Sequence, residues 1–257
     1  MLRCMRRLHA PALFLVVPLA SCASQTFRAD VGALLATTSG EIALQNAGGN
    51  LVLANEMNDL DDQMGLGETE ASPYVRLQWE HELHRVRAHG FGIDAEGSGI
   101  LVGDYGGIPA GAAVTTSMQF FAASAAYSYE VWGNENFRFA LGGELAVYSL
   151  DLAARSLGGR EQVQTDLVIP MPFAEVEAFL GPVTFGVNGA IMAADWRDAD
   201  GRYADTEAFV RYQATAEIDL IAGYRYLLMD ANGTATSRDF DADIEVQGWF
   251  FGGGIRF

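Results

Sequence analysis

This sequence predicts an all-β fold, a single antiparallel sheet closed into one transmembrane β-barrel, and three observations make the prediction. Apolar residues alternate with small or charged ones along many segments, as a strand with two unlike faces requires. Beyond the N-terminal leader no apolar run approaches the roughly 20 residues a spanning helix needs. The polar breaks between segments alternate in length, short then long, as in an up-and-down barrel whose two ends face different compartments.

The N-terminus reads as a secretory leader. Arg3, Arg6 and Arg7 form a basic n-region, and Ala10 to Ala20 is an apolar run of h-region length. Residues 1–23 are therefore read as a signal peptide and 24–257 as the barrel. Two exits fit. Ser21-Cys22-Ala23 has the small residues of ordinary cleavage, whereas Leu19-Ala20-Ser21-Cys22 resembles a lipobox, in which Cys22 would be lipidated.

The strands follow in order. In Phe27–Leu35 the odd residues are apolar, with Arg28 and Asp30 opposite. Val75, Leu77 and Trp79 oppose Arg76, Gln78, Glu80 and Glu82, with His81 at the rim. Phe121, Tyr127, Tyr129 and Val131 oppose Ser124, Ser128 and Glu130. Phe139, Leu141, Leu145 and Val147 oppose Arg138 and Glu144. Val183, Phe185 and Val187 oppose Gly186 and Asn188. Val210 and Tyr212 oppose Glu207, Arg211 and Glu217, and Tyr224 and Tyr226 oppose Arg225. At the C-terminus Trp249, Phe251, Ile255 and Phe257 share one parity. Gly248, Gly252, Gly254 and Arg256 share the other, interrupted by Phe250.

Short turns are expected near Leu83–Arg87, Trp132–Asn136, Leu180–Val183 and Glu217–Asp219. Long loops are expected near Thr37–Ser72, Asp104–Thr116, Ala154–Asp166, Asp198–Asp205 and Asp230–Asp243. The count gives ten strands. Eight or twelve also fit, because Glu41–Gln45 and Asn50–Ala54 read either as an extracellular hairpin or as another crossing pair.

Composition narrows the function classes. The formal charge is -17 and the chain has no Lys, so every fixed side-chain cation is Arg. Such an acidic chain is a poor partner for nucleic acid. Cys4 and Cys22 both lie in the leader, which leaves no disulfide, thiolate metal site or cysteine nucleophile beyond it.

The terminal aromatic, the leader and the alternation together resemble the small bacterial outer-membrane β-barrels of the OmpA, OmpX and OmpW kind, with no motif selecting a subfamily. The resemblance implies the outer membrane of a Gram-negative bacterium. It also implies contact with outer-membrane lipid and lipopolysaccharide, and assembly by the barrel-assembly machinery through a closing strand carrying Trp249, Phe251, Ile255 and Phe257. The lipid belt would include Trp79, Phe121, Tyr127, Tyr129, Phe139, Tyr212, Tyr224 and Tyr226.

Three constellations bear on chemistry. His81, His84 and His89 fall around one expected turn, with His81 and His89 on the outward phase, and they read as rim histidines. No His-x-Ser pattern of the kind that serves barrel lipid hydrolases occurs. Arg28, Arg76, Arg138, Arg211, Arg225 and Arg256 are expected in the lumen. With Glu80, Glu82, Glu130, Glu144, Glu175, Glu177 and Glu217 they would form a ladder of ion pairs, because isolated buried charges are costly. Acidic clusters such as Asp59, Asp61 and Asp62 lack EF-hand spacing and read as solvated loops that could share bridging divalent cations.

The expectation is a non-enzymatic barrel with a plugged or weakly permeable lumen and no cofactor. A small passive channel with mild cation preference, an outer-leaflet lipid- or peptide-hydrolysing enzyme, and a lipocalin-like lipoprotein tethered through Cys22 are the alternatives.

Overall fold

The computed structural model describes residues 25–45, 57–196, 199–235 and 238–257. The leader, Cys22, Asn50–Ala54 and Asp198 lie outside the described residues. The described residues form eleven strands: β1 (Gln25–Leu44), β2 (Asn58–Asp59), β3 (Glu70–His81), β4 (His84–Ile100), β5 (Ala113–Asn134), β6 (Phe137–Arg155), β7 (Arg160–Leu180), β8 (Val183–Trp196), β9 (Ala199–Gln213), β10 (Ile218–Ala235) and β11 (Arg238–Arg256).

Each long strand pairs antiparallel with its sequence neighbours, and β1 pairs with both β3 and β11, so the hydrogen-bonded ladder returns on itself in a ring. Among the described residues the two-residue β2 pairs only with β1, at Glu41 and Ile42. The ring closes on a glycine pair. Gly32 lies opposite Gly252, and a Cβ on Gly32 would sit 2.1 Å from the Phe251 carbonyl oxygen, so only glycine admits this approach.

Both described ends of the chain lie at one end of the ring, together with the tight connections after β3, β5, β7 and β9. We call this the near half. The strands are long, 22 residues in β5 and 21 in β7, against the roughly 9–11 of a strand that just crosses a bilayer. Three expected loops are therefore strand. β6 and β7 run to a hairpin at Ser156–Gly159, β8 ends at Trp196 and β9 begins at Ala199, and β10 and β11 continue to Ala235 and Arg238.

At mid-height the two faces exchange character. In β11 the outward residues Ile255, Phe251 and Trp249 are at least half exposed, and beyond them come Gln247, Glu245, Asp243 and Asp241. The inward residues change in the opposite sense, from Gly252 and Gly248 to buried Val246, Ile244 and Ala242. β6 turns from Leu145 and Val147 to Ser149 and Asp151 outside, and β7 from Val168 to Asp166. Inside, β4 passes from Arg85, Arg87 and His89 to Phe91 and Ile93, and β10 from Arg225 to Leu227 and Met229. The near half is apolar outside and charged inside, and the far half is the reverse.

The far half is filled by one continuous buried apolar cluster including Leu34, Ile42, Phe91, Phe120, Tyr148 and Leu150. The segment Asn58–Leu66 caps it from above, with Leu60, Met64 and Leu66 at most 1% exposed. Asn58 fastens the cap. Its Nδ2 donates to the Gly103 carbonyl, and its Oδ1 accepts from the Val102 and Gly103 amides, both at 3.0 Å.

One stretch of wall is not zipped. The β7–β8 ladder ends at Phe173–Ala190, and among the described residues no pairing joins the two strands beyond it.

Candidate functional site

Among the described residues, many ionisable side chains converge in the lumen of the near half. The first cluster lies nearest the termini. Arg85 contacts Glu80, Glu175 (3.0 Å) and Glu177 (2.8 Å), and Arg87 contacts Glu175 at 2.6 Å. Arg138 reaches Glu80 at 3.2 Å and Glu130 at 3.1 Å. Arg28 bridges Glu80 and Asp219, and Arg211 clasps both oxygens of Asp30 at 2.8 Å.

The second cluster lies just beneath the apolar half. Arg76, fully buried, bonds Glu207, and its guanidinium carbon sits 4.5 Å over the Phe209 ring. Tyr74 donates to Glu207 at 2.7 Å and stacks on Phe250 at 5.0 Å. Phe250 is thus the interior contact of the closing strand, rather than a flaw in its alternation. Arg225 bonds Asp205 and touches His89.

Several expected positions are corrected. Glu82 is exposed in the two-residue turn between β3 and β4, with φ of 54°, and Glu217 is exposed in the turn before β10. Neither faces the lumen. Asp219 takes the inward place that Glu217 was expected to hold. Arg256 folds back onto the Ala216 carbonyl (2.7 Å) and Gln213 instead of joining a carboxylate. Glu144 is buried and bonds Ser124, but its Oε1 has no partner among the described residues and no arginine pairs with it.

The histidine reading also changes. A two-residue turn pairs an odd residue with an even one, so inward parity flips across it: Arg76 lies opposite His89. His89 therefore points inward, whereas His84 lies outside and bonds the Tyr127 hydroxyl at 2.8 Å. The same shift brings Arg85 and Arg87, expected in a turn, into the lumen. Asp205, expected at the end of a loop, also lies buried in the lumen.

Ser124, His89 and Asp205 meet in the lumen. Ser124 Oγ lies 3.0 Å from Nε2 and 3.3 Å from Nδ1 of His89, and Asp205 Oδ2 lies 3.5 Å from Nε2, which Arg225 also contacts. Among the described residues no group of three or more His, Cys, Asp or Glu is arranged to hold a metal ion.

Of the acidic loops, Asp59 lies in the cap, where its Oδ1 accepts from the Asp61 and Asp62 amides at 2.9 and 3.0 Å. A hydrogen bond to Asp59, with some desolvation, raises the Asp61 carboxyl above the usual range.

No family model and no curated protein sequence matches the chain. Solved structures do. The outer membrane protease OmpT from Escherichia coli aligns over 92% of this chain and 98% of its own, with a TM-score of 0.57 and 10% identity. Neisserial surface protein A aligns over 90% and 97%, at a TM-score of 0.38 and 14% identity. The toluene transporter TodX of P. putida aligns over 92% and 91%, at 0.34 and 9%. The architecture is that of the small bacterial outer-membrane β-barrels. The OmpT likeness, alone of the three above 0.5, carries that statement, and it extends to fold only.

Proposed function

We propose that the protein is a closed, ten-stranded barrel spanning the bacterial outer membrane, non-enzymatic and non-conducting, with β2 part of an extracellular cap. The near half lies in lipid, with its buried arginines paired to carboxylates, and the far half stands outside the cell. One observation carries the reading: the apolar cluster crosses the whole far half and is roofed by Leu60, Met64 and Leu66. A conducting pore needs a hydrated path, and a packed apolar interior holds no chain of waters.

The test is single-channel recording in planar bilayers with barrel folded to its heat-modifiable form. No steady conductance is expected. Stepwise, ohmic openings of the unmodified protein would overturn the plugged reading in favour of a passive channel.

A further inference from the structure

The exterior of the far half carries two arginines that repel each other. Arg155 and Arg160 lie directly opposite one another where β6 and β7 enter their hairpin, and both are exposed. The Ser156 amide donates to the Gly159 carbonyl at 2.8 Å, so the next pair out, Arg155–Arg160, exchanges no backbone hydrogen bonds. Side chains stand closest in such a pair, with Cα atoms roughly 4.5 Å apart, and like charges opposed there are destabilising.

No carboxylate relieves the repulsion. Arg202, also on this exterior, is paired with Asp230. Among the described residues neither Arg155 nor Arg160 has an acid within salt-bridge reach, and Arg160 Nη2 donates only to Gln162 Oε1, at 3.3 Å. The chain has 33 Asp and Glu against 16 Arg, so the pair is not left bare for want of acids. Two guanidiniums side by side present parallel forks of N–H donors, the arrangement that grips a phosphate or sulfate.

A groove of about 430 Å³ leads away from Arg160 along the outer face of β4, β5 and β6. Its polar lining has the opposite chemistry: the carboxylates of Asp94, Glu96 and Asp151 accept hydrogen bonds. Gln162 joins the two parts, because its Nε2 donates to Asp151 Oδ1 at 2.6 Å. A ligand that fits both parts has an oxyanion at one end and hydroxyl donors at the other.

We infer that Arg155, Arg160 and the adjoining groove bind a saccharide carrying a phosphate or sulfate ester, its anion on the arginines and its hydroxyls on the carboxylates. The inference rests on the outer-membrane orientation above. Height excludes the headgroup of a bilayer phospholipid. Arg155 is eight residues beyond Val147, the residue before the changeover on β6. At roughly 3.3 Å per residue and a tilt of about 40°, that is about 20 Å, whereas a headgroup layer is roughly 5–8 Å thick. A nucleic acid is a poorer occupant, because the groove lining holds no aromatic ring for a base to stack on and its carboxylates repel a dense polyanion.

The experiment uses the full barrel in phospholipid nanodiscs and a fluorescent sulfated dextran oligosaccharide. Saturable binding is expected, at least tenfold tighter than that of unsulfated dextran. Arg155→Gln with Arg160→Gln should weaken it at least tenfold without lowering the urea midpoint, because the change removes a repulsion. Arg155→Glu should weaken it equally by giving Arg160 a carboxylate. Asp94→Ala with Asp151→Ala should weaken the oligosaccharide but not inorganic sulfate. Loss of binding in nanodiscs doped with lipopolysaccharide would assign the site to sugars of the cell's own surface, and retention to a soluble glycan.

The inference is overturned by a heat-modifiable barrel that does not bind, or by binding that survives loss of both arginines. Equally tight binding of unsulfated dextran, polyglutamate or an oligodeoxynucleotide would also overturn it, as would indifference of the oligosaccharide to loss of Asp94 and Asp151. Orientation is read separately from Leu157→Cys at the exposed hairpin tip. Failure of a membrane-impermeant maleimide to label it on whole cells would overturn the outer-membrane orientation and the inference with it, whatever the nanodiscs bind.

Discussion

Glu175→Gln is the most exposing perturbation of the lumen. Glu175 is 2% exposed, and it accepts from Arg85 at 3.0 Å, Arg87 at 2.6 Å and Ser128 at 2.8 Å. The amide keeps the shape, removes the charge and turns an NH2 group toward one of its donors. Arg87 keeps only Glu177, 3.7 Å away. Removing one partner of a buried ion pair leaves the other charge uncompensated, at a cost of about 3–5 kcal/mol. Urea unfolding of vesicle-reconstituted barrel, followed by tryptophan fluorescence, reads that loss. Arg202→Ala breaks the exposed pair with Asp230 and should leave the midpoint where it is. Adding Arg87→Met to Glu175→Gln should recover stability, with a coupling of roughly 0.5–3 kcal/mol, because the stranded Arg87 charge is then gone. A Glu175→Gln midpoint matching that of Arg202→Ala would refute the claim that the ladder is a buried, mutually satisfied network.

Other outcomes follow from the same structure. Leu145→Arg and Ser149→Arg lie on one outward face of β6 on either side of the changeover. The first should approach the ~2–4 kcal/mol of a lipid-facing arginine and the second stay below about 1; equal losses in the same unfolding assay would misplace the membrane boundary. Asn58→Ala strands the buried Gly103 amide and the part-buried Val102 amide, costing about 1–3 kcal/mol. It should open the Asn58–Leu66 cap to limited proteolysis while the barrel band persists on gels. Gly32→Ala puts a Cβ 2.1 Å from the Phe251 oxygen and should lower the yield of heat-modifiable barrel, whereas Gly159→Ala, with no atom within 4 Å, should not.

The period-two alternation made the sheet legible, and the lipid-facing face of the near half could be read from single residues such as Val31, Leu145 and Trp249. The far half was harder to read. Asp239, Asp241 and Asp243 look like a loop when counted as charges, yet they alternate with Phe240, Ala242, Ile244 and Val246, the pattern of a strand with water outside. That signal was present and lay in the intervening residues. The lumen partners left no local signal at all. Arg85 and Arg87 meet Glu175 and Glu177 from a strand some 90 positions away, so nothing near the β3–β4 turn separates a lumen arginine from a turn arginine. His89 turned on a single residue of turn length, because one residue reverses the facing of a whole strand.

The reversal at mid-height follows from one strand meeting two solvents. Parity is continuous along β11, and only the choice of which parity is apolar changes, between Val246 and Trp249. In lipid the outward face gains nothing by being polar, and the core can hold charges because Arg–carboxylate pairs satisfy one another. In water the hydrophobic effect returns, and the same ring must bury its apolar side inward. The far half is thus built as a soluble barrel is. On the proposed reading, a ring built this way has its plug as its core. The interior beneath the cap cannot be emptied to make a pore without removing the packing that holds the far half together, so permeability and stability outside the membrane compete for the same residues: Leu60, Met64, Phe91 and Phe120.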